Sequence, residues 1–158
     1  MSPRLRCLPL LAFAALAAPA QASVPAGFYA PPSALPAKPG LMIKSMVVHG
    51  GNLPTGGKSN VIMYSSKAPD GTIVPVTGIV TIPNGKAPKG GRPVIIWSHG
   101  TTGAAASCGP SQVLDPAKPL NLYFRMGGDS WTDYGLPALE QFIKQGYVVV
   151  GTAYQGLG

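Results

Sequence analysis

Two short segments made only of apolar residues, 94–97 and 147–150, constrain the fold of this chain more than any other feature. Continuous apolar runs of this length, here "VIIW" and "YVVV", are typical of strands that are covered on both faces. A helix is predicted between them, and the order strand, helix, strand indicates a crossover that joins two parallel strands. The sequence therefore predicts an α/β fold.

The predicted helix covers residues 131–145, "WTDYGLPALEQFIKQ". Its apolar residues recur at helical spacing and lie on one face: Leu136, Leu139, Phe142 and Ile143. Gly146 follows directly and is a natural helix stop.

The first half of the chain has the pattern of antiparallel strands. Segments 41–49, 60–66 and 72–82 are β-rich and separated by turn residues. The second and third are joined through Pro69, Asp70 and Gly71, which predicts an antiparallel hairpin.

The N-terminus has the three parts of a secretory signal peptide. Arg4 and Arg6 precede an apolar stretch at 7–18, and Ala20-Gln21-Ala22 is a small-x-small cleavage site. We therefore expect residues 1–22 to be removed and the protein to be exported, to the periplasm or the medium. Residues 23–40 are rich in proline and alanine and predict an extended arm, which leaves 41–158 as the folded domain.

Charge and cysteine content exclude some classes of function. The net charge is +7, or +5 without the two arginines of the signal peptide, and the basic residues are scattered. Nucleic acid binding needs a clustered basic face, so it is not expected. No segment after the signal peptide is long and apolar enough to cross a membrane. Cys108 is the single cysteine outside the signal peptide, which in an exported protein suggests a disulfide whose partner is absent from these residues.

The order of these segments resembles the α/β-hydrolase fold and, within it, the secretory lipase (lipase-A-like) family. The matching segments are "RPVIIWSHGTTG", then "CGPS", then "QGYVVVGTAYQGLG". Earlier matches to the family pattern are Tyr64-Ser65-Ser66, Gly71, Val76-Thr77-Gly78, Val80 and Pro83, and later ones are Cys108-Gly109-Pro110-Ser111 and Tyr154-Gln155-Gly156-Leu157-Gly158. The resemblance extends over nearly all of residues 41–158.

The resemblance implies the N-terminal portion of an α/β-hydrolase fold, truncated after the fourth strand in the numbering of that fold. The implied parent activity is hydrolysis of carboxylic esters, with an ester or lipid substrate and with no cofactor and no metal. Candidates for the loops that shape the oxyanion site are His99, Gly100, Thr101, Ala153 and Tyr154. Ala153 departs from the family pattern, in which aspartate is usual at this position.

A catalytic triad is not expected within these residues. The nucleophile of this fold lies in G-x-S-x-G directly after a strand, and no such motif occurs. Ser107 lies in an A-x-S-x-G pattern, but a long loop separates it from the preceding strand. His49 is interpreted as a turn residue, and His99 precedes the position of the nucleophile whereas the base of this fold follows it. We therefore expect the chain alone to be inactive, and we expect an open apolar edge on strand 94–97 where the fold has its fifth strand.

Two alternatives remain open on the sequence. The chain could be a non-catalytic secreted binding module, or a decayed gene product that keeps the first half of the fold. A small all-β binding domain would explain the early strands but not the crossover.

Overall fold

A five-stranded mixed sheet forms the centre of the computed structural model, which describes residues 24–48, 53–100, 104–106, 109–112 and 139–157. The strands are β1 (Met42–Val48), β2 (Gly57–Lys67), β3 (Ile73–Pro83), β4 (Val94–Ser98) and β5 (Val148–Thr152). Their spatial order is β1-β2-β3-β5-β4. One α-helix is described, α1 (Leu139–Lys144), with two short 3-10 helices at Ala26–Phe28 and Pro110–Gln112.

The predicted antiparallel hairpin is confirmed. Strand β2 pairs with β3 along its whole length, from Gly57 opposite Pro83 to Lys67 opposite Ile73. The connecting turn is held by Asp70, whose carboxylate accepts hydrogen bonds from the hydroxyl and the backbone N–H of Thr72. The hydrogen bond from the Thr72 hydroxyl, and to a lesser degree the bond from its N–H, lower the pKa of Asp70 below its ordinary value.

The predicted crossover is confirmed as well. Strands β4 and β5 are parallel, with Val94 opposite Val148 and Ser98 opposite Thr152. Helix α1 lies directly before β5, and Gly146 ends it with a φ of 89°. The N–H of Gly146 donates to the Ile143 carbonyl and that of Tyr147 to the Phe142 carbonyl, which together form a Schellman motif. Residues 131–138 of the predicted helix lie outside the described residues.

One face of the sheet carries the core. Cross-strand partners point to the same face, so the register places Val61, Ile79, Thr81 and Val149 together. Val61 and Ile79 pack with Val48, while Val149 packs with Leu139 and Ile143 of α1. We call this the covered face.

The opposite face is apolar but only partly buried. Strand β4 shows this most clearly, since Val94 is 57% and Ile96 is 70% exposed, whereas Trp97 packs into the core cluster below α1. The expectation that β4 is covered on both faces is therefore wrong, because α1 packs on one face only. The expected open edge is present: β4 lies at the end of the sheet, and no strand among the described residues pairs with its outer side.

The described part of the N-terminal arm lies against the covered face. Val24 and Phe28 pack on the cluster of Val48, Val61 and Ile79. The Lys44 ammonium donates to the Ala30 carbonyl, and the buried Ser65 hydroxyl donates to the Lys38 carbonyl. The arm thus covers core residues of β1 to β3. The predicted signal peptide, residues 1–22, lies outside the described residues.

Gly78 permits the close approach of β3 to β5. A Cβ atom at this position would lie 2.7 Å from the Gly151 carbonyl oxygen and 3.3 Å from the Thr152 Cα. We expect Gly78→Ala to lower the free energy of unfolding by about 1–3 kcal/mol, since the clash is with backbone that cannot move without breaking strand pairing. Urea denaturation followed by circular dichroism measures this. Gly27→Ala is the matched control, because nothing lies within 4 Å of a Cβ there. Equal losses in the two variants would contradict the assignment.

Candidate functional site

The candidate site lies where the parallel strands β4 and β5 end. Because Ser98 and Thr152 are register partners, the residues that follow each strand emerge at the same edge of the sheet. His99 and Gly100 follow β4, and Ala153 and Tyr154 follow β5. The carboxyl ends of parallel strands are where open α/β sheets bind ligands.

His99 and Tyr154 are in direct contact. Their rings stack with centroids 4.3 Å apart and an interplanar angle of 28°. The Tyr154 hydroxyl also donates a 2.7 Å hydrogen bond to the backbone carbonyl of His99. His99 is 4% exposed whereas Tyr154 is 44% exposed, so the tyrosine covers the histidine from the solvent side.

The imidazole of His99 is also bound to the next residue. Its Nδ1 lies 2.6 Å from the Gly100 carbonyl oxygen. A carbonyl only accepts hydrogen bonds, so Nδ1 carries the proton and donates. The other ring nitrogen, Nε2, is buried and has no hydrogen-bond partner among the residues that the structure describes.

Ala153 lies on the buried side of this site. Its side chain is 2% exposed, and its backbone N–H donates a 2.9 Å hydrogen bond to the Thr77 carbonyl. Its carbonyl accepts a bond from the Thr152 hydroxyl, which also bonds to the Tyr64 hydroxyl at 2.6 Å. The segment after β5 is therefore fixed to strands β2 and β3 on its inner side.

A buried polar pair supports the site from the covered face. The Thr77 and Ser111 hydroxyls are 2.7 Å apart, and both residues are nearly fully buried, at 1% and 0% exposure. Tyr29 of the arm donates a 2.7 Å hydrogen bond to the Ser111 carbonyl. Burial raises the pKa of the Tyr29 phenol above its ordinary value.

Sequence reasoning missed this network. Thr77 and Ser111 appeared only as members of family motifs, and Tyr29 lay in a segment expected to be an extended arm. A polar residue within an apolar strand, as Thr77 is, was the one available signal, because buried polar groups need partners.

The structure brings four of the five predicted loop residues to one place. His99, Gly100, Ala153 and Tyr154 meet at the ends of β4 and β5, while Thr101 lies outside the described residues. The other sequence candidates also lie outside them: His49, Ser107 and Cys108. Within the described ranges, no group of histidine, cysteine and acidic residues could hold a metal ion.

A groove of about 560 Å³ lies at the opposite end of the sheet. Its walls include Val48 at the end of β1 and Gly57 at the start of β2. The groove is therefore not part of the site formed by His99 and Tyr154.

Solved structures of lipases and esterases resemble this chain. One is the rice cell wall degrading esterase LipA from Xanthomonas oryzae, with a TM-score of 0.52 and 23% identity over 78% of this chain and 31% of LipA. The N228W mutant of LipA has a TM-score of 0.53 and 22% identity, over 77% of this chain and 30% of the mutant chain. Candida antarctica lipase A in its closed state has a TM-score of 0.52 and 19% identity, over 75% of this chain and 26% of the lipase chain.

The described sheet matches part of the α/β-hydrolase fold. The expected resemblance to lipases and esterases is thereby confirmed at the level of the fold, since all these identities are below one quarter. The chain spans about 30% of the length of the LipA structures. No protein-family model matches the sequence, and no curated protein matches it.

The Thr77–Ser111 pair gives a prediction on stability. Thr77→Val leaves the buried Ser111 hydroxyl without its partner, so we expect a loss of about 1–3 kcal/mol in the free energy of unfolding. Adding Ser111→Ala should recover part of this loss, because removing both polar partners costs less than orphaning one. Urea denaturation of the two single variants and the double variant measures the coupling. Additive losses would show that the two hydroxyls do not stabilise each other.

Tyr29 gives a prediction on pH dependence. A raised pKa means that the folded state favours the protonated phenol, so this stabilisation is complete below about pH 10, the ordinary tyrosine pKa. It is lost as the pH rises through the folded-state pKa, where the phenol no longer donates to Ser111. We expect Tyr29→Phe to cost about 1 kcal/mol at pH 7, and the difference from the unmodified protein to shrink above pH 10. Urea denaturation at a series of pH values tests this; a difference that grows with pH would contradict it.

Proposed function

We propose that these residues form the N-terminal part of the sheet of an exported carboxylic ester hydrolase, and that they supply one side of its oxyanion site. The observation that carries the proposal is the loop of His99 and Gly100. It follows a parallel strand of an α/β-hydrolase sheet, and Tyr154 from the next strand holds it in place.

The chemistry of ester hydrolysis explains what such a loop contributes. The attack of a nucleophile on an ester carbonyl places negative charge on the carbonyl oxygen, and preorganised backbone N–H donors stabilise that charge. In many enzymes of this fold one donor comes from the loop after the fold's third strand, which is β4 here, and another from the residue after the nucleophile. Gly100 has no side chain, so the backbone of this loop can approach a substrate closely.

His99 does not act as the general base in this proposal. A base needs a ring nitrogen that reaches the nucleophile while the other is oriented by a partner. Here Nδ1 is bound to the adjacent Gly100 carbonyl and the ring lies beneath Tyr154. The nucleophile, the base and the acid are assigned to residues other than these 158.

The proposed substrates are lipids or small carboxylic esters, and the mechanism needs no cofactor. Two observations support this class: the structures that share the fold include an esterase and a lipase, and the oxyanion-type loop suits acyl transfer. Export is proposed from the signal-peptide pattern of residues 1–22. In the described part of the chain, no helix is long and apolar enough to cross a membrane.

The test begins with the gene. We expect the reading frame to continue past the codon for Gly158 and to encode G-x-S-x-G. The product of the whole frame should hydrolyse p-nitrophenyl esters, and mass spectrometry of the exported product should give Ser23 as its first residue.

The 158-residue chain is the matched control, and it should show no turnover above background. Clear turnover by this chain that Ser107→Ala abolishes would refute the assignment of the nucleophile to other residues. A stop codon directly after Gly158 would refute the hydrolase proposal and favour a non-catalytic secreted protein.

A further inference from the structure

We propose that His99 and Tyr154 are positioning residues that fix the backbone carbonyls of His99 and Gly100 in the loop after β4. The catalytic consequence of this arrangement rests on the proposed hydrolase function. The arrangement itself rests on the hydrogen bonds, the ring stacking and the burial of these two side chains.

Two neighbouring carbonyl groups are bound by these side chains. The Tyr154 hydroxyl donates to the His99 carbonyl at 2.7 Å, and His99 Nδ1 donates to the Gly100 carbonyl at 2.6 Å. A peptide group is planar and trans, so its C=O and its N–H point in opposite directions. The His99 carbonyl that is held on the Tyr154 hydroxyl therefore turns the Gly100 N–H of the same peptide group away from that hydroxyl.

The bond to Gly100 selects one tautomer of His99. Nδ1 must carry the hydrogen because the carbonyl has none to give. In the neutral ring, Nε2 is then an acceptor only, and it is buried with no partner among the described residues. A 180° flip of the ring would put Cδ2 in the place of Nδ1 and lose the Gly100 bond, although the ring would stay stacked on Tyr154.

Tyr154 holds the histidine through two separate contacts. Its ring lies on the imidazole at 4.3 Å, and its hydroxyl reaches past the ring to the backbone of the same residue. Phenylalanine at this position would keep the first contact and lose the second. The chain therefore allows the hydroxyl to be tested apart from the ring.

The experiment measures the histidine tautomer in the full chain by long-range ¹H–¹⁵N NMR spectroscopy, in which protonated and unprotonated ring nitrogens have distinct shifts. The chain has two histidines, so His49→Asn assigns the His99 signals. We expect Nδ1 of His99 to be protonated and Nε2 to be unprotonated. A ring protonated at Nε2 alone would overturn the proposal without any variant of Tyr154.

Tyr154→Phe tests the hydroxyl. The freed His99 carbonyl lets the adjoining Gly100 carbonyl move away from Nδ1 and weakens that bond. We therefore expect the ratio of the Nδ1-protonated to the Nε2-protonated tautomer to fall, by at most about fivefold, which is the effect of losing the Gly100 bond completely. Tyr147→Phe is the matched control, since Tyr147 is also half-buried against an aromatic ring and its hydroxyl has no hydrogen bond among the described residues. An unchanged ratio in Tyr154→Phe, or an equal fall in both variants, would overturn the role of Tyr154.

The tautomer measurement can be interpreted separately from the folding of the variants and from enzymatic activity. Circular dichroism and amide dispersion confirm that each variant is folded, and the tautomer of the unmodified chain is informative even if a variant is not. Because the readout needs no turnover, the positioning proposal can fail while the hydrolase proposal stands, and the reverse. In an active product of the whole reading frame, Tyr154→Phe should lower kcat several-fold with little change in KM, because an oxyanion donor acts in the transition state.

Discussion

The parallel pairing of β4 with β5 is the contact on which the candidate site depends. Five residues on each strand are in register, and the carboxyl ends of the two strands place His99 beside Tyr154. Each strand is secured differently. β5 lies between β3 and β4, while β4 has only β5 as a neighbour among the described strands. In the described part of the chain, β5 pairs with β4, and Tyr154 after β5 holds His99 at the end of β4.

The polar groups near the site are organised around β3 and β5. Ala153 is held by the Thr77 carbonyl, and the Thr77 hydroxyl is in turn paired with Ser111. Gly78 allows the backbones of β3 and β5 to approach closely enough for the two strands to pair. A buried hydroxyl without a partner is costly, so these groups must be placed together, and they give the end of β5 a defined position. The site is consequently supported from the covered face and capped by Tyr154 on the solvent side.

The sequence predicted the elements that local pattern determines. The hairpin follows from alternating apolar residues and the Pro-Asp-Gly turn, and the parallel pair follows from two apolar runs with a helix between them. Strand β2 begins at Gly57 rather than at residue 60, because its first residues pair with the end of β3 and carry no apolar signal of their own. The exposure of Ile96 could not be predicted either, since an apolar run reports the composition of a strand and not which of its faces is packed.

The candidate site was predictable only in part for a related reason. His99 and Gly100 were identified because they directly follow an apolar strand, and Tyr154 because it belongs to the turn that resembles the family pattern. The bond between Tyr29 and Ser111 joins residues 82 positions apart, and neither residue differs in type from many other polar residues. Such partners become visible only when the fold brings them together.

The contact between Tyr154 and His99 joins residues 55 positions apart. Closing a loop of that size costs chain entropy before any contact is gained, and contacts of this kind slow folding. During synthesis the loop after β4 is made well before the tyrosine that fixes it. We therefore expect this loop to become ordered only once the crossover between β4 and β5 has closed.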